Sequence, residues 1–124
     1  MSGSADPAPP QTGAPAGRIK KRRDFLRAAQ RGKRAARPGL VLQALATEPG
    51  SLRLGFTVTK KVGNAVVRNR ARRRMKEAAR LALPGLGLSG WDLVLIGRDA
   101  TGKRPFGQLI GDLRGALKQT GVLP

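Results

Sequence analysis

Nearly every side chain in this sequence that could do chemistry is a cation. Lysine and arginine together number 25 against seven aspartates and glutamates, histidine and cysteine are absent, and the formal net charge is +18. Without histidine or cysteine, the usual general bases and the strongest nucleophile are missing. The acids are Asp6, Asp24, Glu48, Glu77, Asp92, Asp99 and Asp112, scattered along the chain with no pair at helix spacing. Metal-assisted phosphodiester hydrolysis wants several carboxylates converging on cations about 4 Å apart. Structural assignments suit these acids better: a helix cap for Asp24, turns for Glu48 and Asp99, a charge partner for Glu77. No glycine-rich phosphate loop of the Walker type is present. The composition points to a binder of polyanions, with no catalytic and no metal-ligating residue of its own.

The cations are densest within Thr57–Arg80, TVTKKVGNAVVRNRARRRMKEAAR, which reads as a strand, a tight turn and a helix. At about 100° per residue, Val67, Ala71, Met75, Ala78 and Ala82 share one side as a core stripe. Arg68, Asn69, Arg72, Arg73, Lys76 and Arg80 gather on another. Seven of the residues from Ala65 to Leu83 are basic and only Glu77 is acidic. Like charges three and four apart repel on a bare helix. A merely solvated face mixes its signs, so this face is expected to meet a polyanion, and arginine's planar fork suits phosphate.

The rest of the chain must hold that helix in place. Residues 1–17 are rich in Pro, Gly and Ala, carry no basic residue, and are expected to be a disordered tail. One basic, nucleic-acid-binding domain is expected over 18–124. A short helix over Phe25–Arg31 is predicted, with Asp24 as its cap and Gly32 as its end. Two apolar runs, Leu40–Ala46 and Leu52–Thr59, flank Glu48–Pro49–Gly50–Ser51 and read as a hairpin. In the second run Thr57 and Thr59 belong to a small polar face suited to a wet contact. Asn64 is a good N-cap for the basic helix, and Pro84–Gly85 stops it. Trp91–Gly97 is apolar on both faces and reads as a central buried strand. A last helix starts near Pro105, with Phe106, Leu109, Ile110, Leu113 and Leu117 on one side. This order implies an α+β fold, a small two-layer sandwich on a mostly antiparallel sheet. No apolar run approaches membrane-spanning length, and no secretory signal pattern opens the chain, so a cytoplasmic protein is expected.

One stretch says more. Lys60-Lys61-Val62-Gly63-Asn64-Ala65-Val66-Val67-Arg68-Asn69-Arg70, followed by Arg72, Arg73 and Arg74, closely resembles the signature of the bacterial ribonuclease P protein subunit. The likeness covers roughly residues 18–119, with the predicted elements in the family's order. It implies a ribosomal-protein-S5-domain-2-like fold of order α-β-β-β-α-β-α, including a short strand over residues 32–37. It also implies a partner role: a catalytic RNA subunit removes the 5′ leader of precursor tRNA by Mg²⁺-dependent hydrolysis, the metal being held mainly by that RNA.

By the same resemblance, Arg68, Asn69, Arg70, Arg72, Arg73 and Arg74 contact the catalytic RNA, with Lys76 on the same basic face. A cleft between the first helix and the sheet takes the single-stranded leader, with Phe25, Thr57, Thr59, Lys60 and Lys61 as its residues. Two positions depart from the family pattern, since Ala29 and Gln43 stand where aromatics are common. No membrane contact and no obligatory protein partner are implied. Two other readings stay open: a non-catalytic ribosomal-type or RNA-chaperone protein, and a protein-only nuclease.

Overall fold

The computed structural model describes residues 16–124. The elements are β1 (Ala16–Arg18), α1 (Arg22–Arg31), β2 (Lys33–Ala36), β3 (Leu40–Ala46), β4 (Leu52–Thr57), a 3-10 turn (Lys60–Val62), α2 (Ala65–Ala82), β5 (Trp91–Gly97) and α3 (Phe106–Gln119). They form an α+β domain around one five-stranded sheet of order β1-β4-β5-β3-β2. Most of the expected tail, residues 1–15, lies outside the described residues. Its last two residues belong to β1, which pairs in parallel with β4 from Ala16↔Leu52 to Arg18↔Leu54.

The predicted hairpin is not formed. β5 inserts between β3 and β4, antiparallel to the first and parallel to the second. The reason lies in β5 itself: Leu93, Val94 and Leu95 are all at most 1% exposed, and a strand apolar on both faces gains most from the centre. The β2–β3 and β3–β5 pairings are antiparallel, whereas β1–β4 and β4–β5 are parallel. The sheet is therefore mixed rather than mostly antiparallel. The short strand implied over residues 32–37 is present as β2.

Helices cover both faces, one more layer than a two-layer sandwich has. On one face Leu42, Ala44, Leu54, Leu93 and Leu95 meet Ala71, Met75, Ala78 and Ala82 of α2 and Leu109, Leu113 and Leu117 of α3. On the other, α1 contributes Ala28 and Phe25 to a small cluster with Ile19, Val94 and Ile96. The alternation of β5 sends Leu93 and Leu95 to one side and Val94 to the other.

α1 starts three residues earlier than predicted, after Lys21, and Asp24 is not its cap. A carboxylate inside the first turn still suits the helix dipole, but Asp24 is buried because it meets a partner on the sheet. Gly32 does end the helix, and its N–H bonds to the Ala28 carbonyl at 2.9 Å. A side chain there would press on the carbonyl oxygens of Ala28 and Ala44, so the turn into β2 requires glycine. Among the described residues, no helix is long and apolar enough to cross a membrane.

Candidate nucleic-acid interface

The turn into α2 is built as its sequence suggests. Asn64 accepts a hydrogen bond from the Val67 N–H at 3.0 Å, satisfying one of the helix's free donors. Gly63 sits so close to Val67 that an added Cβ would lie 3.0 Å from its side chain. Val67 itself, assigned to the core stripe by periodicity, is 40% exposed. The first turn of α2 packs on the Gly63 backbone rather than on the core. Ala71, Met75, Ala78, Ala79 and Ala82 carry the burial, and the small alanines let the helix lie close to the sheet.

The basic residues of α2 divide into two sets. Asn69, Arg70 and Arg73 are exposed, and Arg68, Arg72 and Lys76 are half-buried on the outer side. Arg72 donates to the Asn69 side chain at 2.9 Å, which ties the guanidinium to the helix surface. Arg74 points elsewhere. Its guanidinium donates to the backbone carbonyls of Thr101 and Arg104 and lies 5.7 Å from the Phe106 ring centroid. Arg70 adds a bond from Nε to the Gly102 carbonyl at 3.1 Å. Together they fasten the β5–α3 loop, where buried Thr101 donates to the Gly39 carbonyl at 2.6 Å. Charge-assisted bonds of this kind are worth roughly 1.5–3 kcal/mol each. The motif alone could not show this, because the acceptors are carbonyls some thirty residues away.

At the far end of α2, Arg80 pairs with Glu77 across one turn. The Arg80 hydrogen bond holds the Glu77 carboxyl below its ordinary value of 4.5. The pair is exposed, so it adds little stability.

A groove of about 570 Å³ opens on the opposite face, between α1 and the sheet. Phe25, Leu26 and Ala29 line it from α1, and Gln43, Thr57, Val94 and Ile96 from the strands. Lys20 and Arg22 stand at its side, and Phe56 at its edge. Phe25 lies so tightly over β4 that a Cβ on Gly55 would come 2.6 Å from its ring. Of the cleft residues expected from the sequence, Phe25 and Thr57 are in the lining. Thr59, Lys60 and Lys61 are exposed beyond the end of β4 and are not in it. Val94 and Ile96 were legible as one face of β5, but nothing in the sequence placed α1 over that face. Lys20 and Arg22 belong to the basic run Arg18–Arg23.

An ionic clamp ties α1 to the sheet beside the groove. Arg53 of β4 donates to both Asp92 oxygens, at 2.9 and 2.6 Å, and to Asp24 of α1 at 3.4 Å. Asp92 is 1% exposed and Asp24 7%. The Asp92 hydrogen bond raises the Arg53 pKa above its ordinary value. Two of the scattered acids thus come together, but around an arginine, which satisfies them. Among the described residues no group of three or more His, Cys, Asp or Glu converges.

Comparison with known proteins agrees with this architecture. The family model for ribonuclease P matches residues 14–121. The ribonuclease P protein component of Gluconacetobacter diazotrophicus is 58% identical over 106 residues, covering 85% of this chain and 91% of that protein. The one from Ruegeria pomeroyi is 52% identical over 105 residues, covering 82% and 83%. Among solved structures, the Staphylococcus aureus ribonuclease P protein superposes with a TM-score of 0.69 at 29% identity, covering 89% of this chain and all of that one. The Thermotoga maritima protein gives 0.68 at 29% identity, over 82% and 96%. A matching family model over nearly the whole described chain and relatives this similar decide the matter: the chain belongs to the family of bacterial ribonuclease P protein components.

Proposed function

We propose that this chain assists tRNA 5′-end maturation by gripping RNA on two sides of one sheet. The outer face of α2, with Arg68, Asn69, Arg70, Arg72, Arg73 and Lys76, lies against the catalytic RNA. Arg74 serves the same surface indirectly, by fastening the loop beside it. The groove under α1 takes the single-stranded leader of precursor tRNA, with Phe25 offering a ring and Lys20 and Arg22 offering charge. Lys60 and Lys61 extend that charge past the end of β4. Phosphodiester hydrolysis is assigned to the RNA together with Mg²⁺, and this chain neutralises phosphate repulsion and positions the leader. The observation that carries the reading is the pairing of an outward cationic helix with a separate groove on the opposite sheet face.

The test is to mix the full chain with precursor tRNA and Mg²⁺, with and without a bacterial ribonuclease P RNA. Cleavage at the mature 5′ end that needs the RNA and is stimulated by the protein is the expected result. Cleavage without the RNA would make the chain itself a nuclease, and absent stimulation would leave only a generic RNA binder. Affinity should also fall with salt. If about six phosphates are neutralised, the log–log slope is roughly −4 to −5, and a slope shallower than about −1 would remove counterion release as the driving force.

A further inference from the structure

A second groove, about 350 Å³, opens on the α2 side of the same sheet edge. Its floor is Leu52 and Leu54 of β4 with Ala79 and Leu83 from α2 and its C-cap. All four are at most 8% exposed, so the floor is the skin of the core. The rim is cationic, with Arg18 from β1 and Lys76 and Arg80 from α2. Phe56 closes one end, and the Arg18 guanidinium lies 5.6 Å from its ring centroid. β1 stops pairing at Leu54, which, among the described residues, leaves the edge of β4 beside Phe56 unpaired.

An apolar peptide would match the floor and leave Arg18 and Lys76 unused at the rim, where Arg80 already pairs with Glu77. A bare phosphate would match the rim and leave the floor wet. A nucleobase with its flanking phosphates satisfies both, and Phe56 with its stacked arginine is the kind of wall on which a base stacks. The volume falls in the range of single small-ligand sites, roughly 300–1,000 Å³, which admits one base and not a duplex. Lys76 and Arg80 continue the row of Arg68 and Arg72 at one-turn steps, so the groove is continuous with the outer face of α2. We infer that this groove captures one unpaired base of the catalytic RNA, its neighbouring phosphates resting on Arg18, Lys76 and Arg80. The inference rests on the proposal that α2 faces that RNA.

The experiment places photoreactive p-benzoylphenylalanine at Pro84, an exposed residue of the groove lining. A separate protein carries it at Arg73, on the exposed outer side of α2. Each full chain is assembled with the catalytic RNA and irradiated with and without precursor tRNA. Both positions should crosslink to the catalytic RNA without precursor, Pro84 to a single unpaired nucleotide. Ala79→Leu, which fills the floor and keeps every cation, should weaken assembly and the Pro84 crosslink by about fivefold, the lower end of one stacked base, while the Arg73 crosslink persists. A Pro84 crosslink only to the leader, only to residues 1–15, or to nothing while Arg73 reacts, overturns the inference and leaves the α2 reading intact. Silence at both positions overturns both. If Ala79→Leu melts early, the Pro84 crosslink in the otherwise unaltered chain decides alone.

Discussion

The two faces of the sheet are held by different forces. Under α2 and α3, leucines and alanines from both helices and four strands interlock, each at most 8% exposed. Under α1 the buried apolar cluster is small, Ile19, Ala28 and Val94, with Phe25, Leu45 and Ile96 half-covered around it. To that packing the Arg53 guanidinium, between Asp24 and Asp92, adds an ionic tie from α1 to the sheet. Apolar packing is non-directional and closes every gap it can. A directional ionic contact can instead hold a helix at a set height and leave a trough beside it.

Breaking the clamp should have the largest effect. Arg53→Ala leaves buried Asp92 without its cation and Asp24 with Arg27 alone, 3.7 Å away, and removing one partner of a buried pair costs about 3–5 kcal/mol. Arg53 keeps a side-chain exposure of 35%, so a loss near the low end, about 3 kcal/mol, is expected. Thermal melting measures it, and an unchanged midpoint would mean that packing alone holds α1.

Next is a division within α2. Arg74→Ala should lower stability by about 2 kcal/mol through its lost carbonyl bonds, whereas Arg73→Ala should leave the melting temperature alone and weaken RNA binding. Equal melting temperatures for the two variants would return Arg74 to the free set. A smaller effect tests the groove. Ala29→Phe adds a platform opposite Gln43, and one stacked base is worth about 1–3 kcal/mol. The preference for leadered over leaderless tRNA should then survive better at high salt, and Lys60→Ala should reduce it only at low salt. A preference independent of salt in the parent chain would show that stacking on Phe25 already dominates.

The smallest effect belongs to the exposed pair. Arg80 depresses the Glu77 carboxyl, so its contribution to folding is present above its ordinary pKa of 4.5 and is lost as pH falls through the lower folded value. Because the pair is fully exposed, Glu77→Gln should melt with the parent across roughly pH 5 to 8. RNA affinity should rise slightly as Arg80 is freed. A marked loss of stability would show that the α2 terminus depends on that bridge.

Much of this was legible in residue order, and the failures have a common cause. The Asn64 cap, the stop at Pro84–Gly85, the buried β5 and the apolar side of α3 are local signals, and all stand as read. What periodicity cannot say is which element covers a given face. Leu40–Ala46 and Leu52–Thr57 read as a hairpin because the strand that separates them comes later. Asp24 read as a cap because its partner, Arg53, lies on another element. Val67 satisfied the stripe and missed the core because the first turn of α2 packs on Gly63 instead. Arg74 read as one more free cation, since carbonyl acceptors leave no trace in composition.

The insertion of β5 also sets a timetable for synthesis. β3 and β4 run antiparallel and are joined by a short loop, so a nascent chain can zip them directly against each other. The native order becomes possible only once Trp91–Gly97 has emerged, and any such premature pairing must then part to admit it. At about 5–20 residues per second, the stretch from Thr57 to Gly97 takes roughly 2–8 s to make. During that interval two strand edges stand open, the condition most prone to mispairing. A chain truncated before Trp91 is therefore not a smaller version of this protein: it lacks the one strand that joins its two halves.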